Sequence, residues 1–597
     1  MSDGTNAGDR AVAFGMGCLV VVGLYLTAPS IGYARDEGFY FQAATSYGQW
    51  LELLWNQPEQ ALTRQAVEAH FRINAEHPSL MKLLFALSHQ VLYEWLHLIP
   101  TPGLAFRVPG MLMSGLATGL VALWGARAVS RWAGIVAAAL FITLPRVFHH
   151  SHLACFDVAI TATILLTAYA YFMAVSTRRT SWVIVVGLCY GLALDTKHNA
   201  WMLPFVFAFH LLLTEGRALK AAPARERWQS VWPLVSMLTV GPLVLLLLWP
   251  WLWFDTLEHL SQWVEFHLHH DYYNMEFLGR TYHRPPMPRA YAWVMTFATV
   301  PLTTLLLAFV GLWVSLRHAM HSGRAWGRMG SVEVWKRDSE VVGEQSDQEP
   351  SAPPTRQPST LVPAAWDTRR VNDSLWLLCL LAGYAPWWFT TTPIFGGTKH
   401  WMTAYPFLCL FAARGFALYA ARLREQLGRA RKQRWLWRSV AVTVTLVWLS
   451  APLLITLDSV PFGLSAYTPL VRGAKGAASL GLNRTFWGYT SLEMADAMTQ
   501  LLPRGGRVFV HDTALQSWDM YQRDGTIPKN LYPTLDPTQS SVALYHYEPH
   551  MARVEYQIWE AYGTTTPEAV TTFDGVPVLW LYARPELAAD HSLRGAE

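Results

Sequence analysis

The sequence predicts a polytopic α-helical membrane protein with a soluble α/β domain at its C-terminal end. Three observations predict it. Charged residues make up 15% of the chain, against roughly 25% in an average soluble domain, while hydrophobic residues reach 52% and Trp alone numbers 29. Mean hydropathy is positive, +0.18, and the apolar residues gather in separate runs about as long as a bilayer-crossing helix of ~20 residues. After residue 457 the composition returns to that of a soluble domain. A disordered, fibrous or ordinary soluble protein is excluded.

The first apolar run, residues 11–29, is followed by polar chain with no small-residue cleavage site, so it reads as a retained span and not a removed signal peptide. Further spans are expected at residues 104–126, 132–148, 156–175, 181–195, 199–214, 232–252, 291–316, 374–392, 401–421 and 438–457, about eleven in all. Residues 80–99 contain Lys82, His89, Glu94 and His97, too much polarity for an easy span, and read as an amphipathic helix at the interface. Loops rich in Arg and Lys stay cytoplasmic. With residues 80–99 not crossing and the N-terminus inside, the basic loops 127–131, 178–179, 217–227, 317–370 and 422–438 all fall on the inner side.

Residues 30–103, 149–157, 253–290, 391–400 and 458–597 then face outward, joined by the turn 195–199. The domain division is a membrane domain over 1–457, with an outer catalytic loop at 30–103 and a cytoplasmic loop at 317–370, followed by an outer α/β domain over 458–597. Within the cytoplasmic loop, residues 339–363 are rich in Glu, Gln, Ser and Pro and read as a disordered linker. Trp249, Trp251 and Trp253 read as an interfacial belt. The five cysteines lie in or beside apolar runs without metal-ligand spacing. The net charge of +4 is explained by orientation, and no nucleic-acid partner is expected. In the C-terminal domain, a helix at 491–502, strands at 507–511, 542–547 and 578–582 and a helix at 551–562 are expected. That domain is either a structural cap or a surface for recognising an acceptor.

Ionisable residues recur at the outer ends of the spans. Asp36 and Glu37 follow the first span; Glu76 and His77 precede Pro78, a residue suited to the first turn of a helix. His149, His150 and His152 stand before Asp157, Lys197 breaks an apolar hairpin, and Lys399 opens another span. Such groups are costly at headgroup depth unless they pair or meet a charged ligand. A site acting on a lipid phosphate needs this mixture, with cations for the phosphate and a carboxylate to take a proton. A transporter would instead place charges near the midplane of two repeated halves, and no repeat is visible.

The ordered set of Asp36-Glu37, His77-Pro78, Arg107-Val108-Pro109, Asp157 and the hairpin Gly191 to Thr196-Lys197 resembles the GT-C glycosyltransferases that use polyprenyl-phosphate sugars, among them the protein O-mannosyltransferases and the lipid A aminoarabinose transferases. The resemblance covers about residues 11 to 420. It implies a GT-C-like fold and inverting transfer of a sugar from a polyprenyl-phosphate donor to a protein, lipid or glycan acceptor. It also implies a bacterial inner membrane with the site on the periplasmic side. Asp36 would be the catalytic base, supported by Glu37 and Asp157. Lys197, Lys399, Arg107 and His77 would bind the donor phosphate, His77 standing where aminoarabinose transferases have Lys. The rival classes are a lipid-linked-sugar transporter and a non-catalytic assembly subunit for envelope glycans.

Glu76 occupies a position resembling a metal-ligating glutamate of the aminoarabinose transferases. With His267 and His270 on the other large outer loop it would hold a divalent ion such as zinc, a borderline ion that accepts N and O ligands. The two histidines share a face only if that stretch is helical; the alternative is a hydrated polar loop. The charge asymmetry yields a topology test. Single cysteines introduced at Asn56 and Asp524 are expected to react with an impermeant thiol reagent from one side, and one at Arg429 from the other.

Overall fold

The computed structural model describes residues 6–221, 224–329, 368–429 and 434–587. Seven helices among them are long and apolar enough to cross a membrane: Ala7–Ser30, Pro102–Ala128, Asp157–Thr177, Trp228–Leu248, Leu302–Met320, Met402–Leu427 and Trp437–Asp458. The protein is a helical integral membrane protein. Helices occupy the other expected places too, most of them shorter. The 132–148 run breaks before Pro145 into Arg131–Ile142 and Pro145–His150. Residues 291–316 split at Pro301, which lacks the N–H that would continue the ladder, into Tyr291–Thr299 and Leu302–Met329. Thr180–Leu194, Leu203–Ala221 and Thr368–Tyr384 fill the remaining positions. The expected linker lies in residues 330–367, outside the described residues.

Small residues set the closest helix crossings. A Cβ on Gly17 would stand 2.8 Å from the carbonyl oxygen of Gly115, so the first span and Pro102–Ala128 touch backbone to backbone. Pro109, inside the latter helix, leaves the Ala105 carbonyl without its usual donor, and Ser88 Oγ fills the vacancy at 2.6 Å. Ser88 ends the helix Leu80–Ser88, which continues as a π-helical turn over His89–Trp95. This stretch is not among the candidate spans. It buries Met81, Lys82, Phe85 and Ala86 on one side. Trp249 is not a belt residue: it is fully buried, edge-on to Trp263 at 5.4 Å.

The C-terminal domain holds a five-stranded sheet, and a hairpin of β1 (Met275–Phe277) and β2 (Arg280–Tyr282) precedes it in the chain. The sheet comprises β3 (Gly506–Val510), β4 (Leu531–Thr534), β5 (Val542–His546), β6 (Ala569–Phe573) and β7 (Val576–Ala583) in the order β4-β3-β5-β7-β6. β3 pairs in parallel with β4 and β5, whereas β7 runs antiparallel to β5 and β6. The two strands that the sequence does not reveal, β4 and β6, are the edges. β4 carries Pro533, tolerated only where no ladder bond is needed. Trp518, Tyr521 and Leu544 of this domain share one apolar core with Tyr33, Phe41, Trp50, Phe85 and Phe106 of the membrane domain.

That shared core holds the helix Arg35–Asn56 in place. Asp36 and Glu37 in its first turn complement the positive end of the helix, and Glu37 Oε2 accepts the Ala34 N–H at 2.9 Å. Glu37 is wholly buried and takes two bonds from Arg107, Nε to Oε1 at 2.8 Å and Nη2 to Oε2 at 2.7 Å, plus the Ala154 N–H at 2.8 Å. Arg107 also donates to the carbonyls of Ile31 and Gly32. Breaking such a pair strands a charge in the interior. Arg107→Met is expected to cost about 3–5 kcal/mol, read as a large loss of melting temperature in detergent, with Asp36→Asn melting close to the parent.

Candidate functional site

Asp36 turns away from this buried pair, to the side of its helix that faces the segment 396–399. Lys399 Nζ lies 3.3 Å from Asp36 Oδ2, with Asp36 about a quarter exposed and Lys399 nearly buried. Lys399 follows the left-handed pair Gly396 (φ +71°) and Gly397 (φ +60°), a conformation that glycine adopts without a Cβ clash. A second pair stands alongside: Lys197 Nζ donates to Asp157 Oδ1 at 2.8 Å, and His150 Nδ1 is 3.5 Å from Asp157 Oδ2. Asp157 opens its helix, and Lys197 follows the helix Thr180–Leu194. Four residues from four distant parts of the sequence thus form two carboxylate–ammonium pairs at the ends of the spans.

Burial holds the His150 imidazole below its ordinary range, although Asp157 pulls it the other way. His77 is lowered well below its ordinary value, by burial first and then by His267 and Lys197. It is therefore a neutral ring, able to hydrogen-bond a phosphate and unable to bring a charge. Arg107, expected at the phosphate, is committed to Glu37 and two carbonyls, and Glu37 is correspondingly a structural anchor. For Glu37 this is the supporting role expected of it, for Arg107 a correction, and one cause accounts for both: an Arg and a Glu that meet away from water satisfy each other first.

The three expected metal ligands are not gathered. Glu76 Oε1 accepts from Asn74 Nδ2 at 2.6 Å, and His267 Nε2 is at the Glu76 carbonyl, 3.1 Å away, its ring stacked on His198 at 3.9 Å. The helix Thr256–Leu268 ends before His270, which stacks on Phe395 at 4.5 Å. Among the described residues no group of three or more His, Cys, Asp or Glu is arranged to hold a metal ion.

Several residues at the site are not evident from sequence. Asp195 accepts the Ser79 N–H at 3.2 Å and so fixes the start of the helix Leu80–Ser88. Lys82 Nζ donates to the carbonyls of Asn74 and His77 at 2.7 and 2.8 Å, and burial brings its pKa down to about 7. From the C-terminal domain, Asp512 Oδ1 accepts from Arg35 Nη1 at 2.7 Å, directly before Asp36. Behind it stand Glu548, His550 and Glu276: His550 Nε2 is 3.4 Å from Glu548 and its Nδ1 3.3 Å from Glu276. Only the pairing of residues nearly 500 apart in the chain makes this cluster visible. A separate cavity of about 480 Å³, between Phe41, Gln42, Thr45 and Gln49 and the helix Leu515–Arg523, lies roughly half a helical turn away from Asp36. It is not the site of the charge pairs.

Residues 77–254 match the family model described as dolichyl-phosphate-mannose-protein mannosyltransferase. This chain is similar to the polyprenyl-phosphate-sugar glycosyltransferases. The matched stretch, under a third of the chain, holds His77, Arg107, Asp157 and Lys197 and leaves Asp36, Lys399 and the C-terminal domain outside. Among solved structures, ArnT from Cupriavidus metallidurans bound to undecaprenyl phosphate is 15% identical over 96% of this chain and 98% of its own, with a TM-score of 0.45. Its apo form gives 14%, 97%, 98% and 0.46. The archaeal oligosaccharyltransferase AglB from Archaeoglobus fulgidus, in complex with an inhibitory peptide and a dolichol-phosphate, is 10% identical over 93% of this chain and 71% of its own, with a TM-score of 0.46. No curated protein matches by sequence.

Glu548, in the cluster behind Arg35, titrates. Burial, then the like charge of Asp512, pushes Glu548 up from 4.5 to about 8. The folded state therefore holds this proton more tightly than the unfolded chain does. Its contribution to stability is complete below about 4.5 and is lost as pH rises through about 8. Melting temperature is expected to fall across that window, and Glu548→Gln to flatten the decline.

Proposed function

We propose that this protein is an inverting glycosyltransferase that moves a sugar from a polyprenyl-phosphate carrier to an acceptor hydroxyl at the outer face of a bacterial inner membrane. The observation that carries the reading is the Asp36–Lys399 pair beside the Asp157–Lys197 pair at the ends of the spans. A base and a cation in contact suit a reaction that takes up a proton and releases an anion. The acceptor oxygen attacks the anomeric carbon from the face opposite the phosphate and forms the new C–O bond. Its proton passes to Asp36 Oδ2. The bond from the anomeric carbon to the phosphate oxygen breaks, its electron pair stays on that oxygen, and configuration inverts.

Lys399 and Lys197 stabilise the charge that develops on the leaving phosphate, a form of help that is strongest in a site shielded from water. Lys399 is drawn from Asp36 toward the phosphate as that charge grows, which frees the carboxylate for the proton. Asp157 and His150 orient Lys197, and His77 contributes a neutral hydrogen bond. The acceptor class, whether protein, lipid or glycan, sets what the outer surface must hold and leaves this chemistry unchanged.

The test uses purified protein in nanodiscs with an undecaprenyl-phosphate-linked sugar, probed in parallel with mannose and aminoarabinose donors and an extract of envelope acceptors. Release of undecaprenyl phosphate together with labelled acceptor is expected. Asp36→Asn keeps the side-chain shape and removes its basicity, so the rate is expected to fall by about 10²–10⁴-fold with donor binding retained. Lys197→Ala is expected to weaken donor binding and rate together, because the cation meets the phosphate in both states. Parent-like turnover in Asp36→Asn would sink the mechanism, and transbilayer movement of intact donor without release would mark a transporter.

A further inference from the structure

We infer that the C-terminal domain is a working part of this site, through a pair of aromatic residues, Phe486 and Trp487, that position Lys399. The inference rests on the reading of Lys399 given above and adds residues that the reaction scheme does not contain. The ring of Trp487 lies 4.0 Å from Lys399 Nζ, nearer than Phe395 at 5.2 Å. A cation on an indole face is attracted by the ring quadrupole, more strongly on Trp than on Phe, and most strongly where water is excluded. Trp487 is 4% exposed, so this contact is dry.

The backbone of Trp487 shows what the contact demands. Its φ is +75°, a region that bulky residues avoid, and Gly488 follows at φ +58° with the Asp512 carbonyl where a Cβ would go. This turn sends the indole to Lys399 while the Trp487 carbonyl accepts the N–H of Arg35 at 2.8 Å, one residue before Asp36. A single residue therefore holds both members of the Asp36–Lys399 pair, the base through its backbone and the cation through its ring.

Phe486 acts on the same segment. It lies 6.0 Å from the guanidinium of Arg146, whose other ring partner is Tyr467 at 5.0 Å. Arg146 is 3% exposed, and among the described residues no carboxylate pairs with it. Its Nη1 stands 3.2 Å from where a Cβ of Gly397 would be. Consecutive aromatics of the C-terminal domain thus grip two cations, one behind the Gly396-Gly397 turn and one just after it. The turn cannot shift without losing both contacts, and that turn sets where the ammonium points. A cap that only stabilised the fold would have no need of a strained indole on the catalytic cation.

The experiment measures two things in Trp487→Leu and Trp487→Phe. The first is kcat and KM for the undecaprenyl-phosphate-linked sugar. The second is the rate at which the Lys399 amine is acetylated by acetic anhydride across pH, read by peptide mass spectrometry, which needs no turnover. Trp487→Leu is expected to lower kcat by about 10- to 30-fold, in keeping with a desolvated cation–π contact, with KM changed less, and to shift the Lys399 labelling profile. Trp487→Phe, keeping a weaker ring, is expected to recover most of both at an unchanged melting temperature. If the Leu variant does not fold, Trp487→Met, which also lacks the ring, takes its place, and labelling and kcat identical to the parent in the ring-free variant overturn the inference. A parent protein inert with every donor, but with labelling that shifts as described, overturns the proposed reaction and leaves the positioning role standing. A parent that turns over, with Lys399 labelling unmoved in both variants, does the reverse.

Discussion

Arg107 and Glu37 meet where neither can reach water, and the geometry around them follows from that. A buried Glu must be paired or protonated, and a buried Arg must spend its donors. Each carboxylate oxygen of Glu37 accepts from the guanidinium, and Arg107 also donates to the carbonyls of Ile31 and Gly32. The first span, the helix carrying Asp36 and the helix carrying Arg107 are thereby tied at one point. Because Glu37 is turned inward, its neighbour Asp36 is turned outward, about 100° around the helix, toward Lys399. The two adjacent acids divide the work: one anchors, and the other remains available to a ligand.

The same logic governs the rest of this end of the membrane domain. Lys82 is held by loop carbonyls, Asp195 by Ser79, and Arg35 by Asp512, and each interaction closes a turn between elements. Two further pairs, Asp36–Lys399 and Asp157–Lys197, complete this end. Lys399, Lys197 and Arg146 are the cations beside these carboxylates, while burial lowers the imidazoles of His77, His150 and His198 below their ordinary range. The C-terminal domain, which shares its apolar core with the helix Arg35–Asn56, supplies the aromatic surface on which two of those cations rest.

The sequence alone determined the membrane architecture, because span length and apolarity are local properties that the bilayer imposes. It also marked Asp36, Asp157, Lys197 and Lys399, since an ionisable residue at a span end needs a reason to be there. The strands β3, β5 and β7 were legible from their apolar runs. The edges β4 and β6 were not, because an edge strand can carry proline or polar residues without loss. What only the tertiary structure decided is which charge meets which. Arg107 and Lys399 look alike as single residues near a membrane surface, yet one is consumed by a buried carboxylate and the other faces the site. Glu76, His267 and His270 look like ligands until the helix ends at Leu268 and their atoms turn to nearer partners. Trp487 carries no local signal at all, since its role exists only where a left-handed turn 88 residues beyond Lys399 in the chain folds back upon it. Electrostatic pairing depends on distance and on exclusion of water, and neither is a property of sequence position.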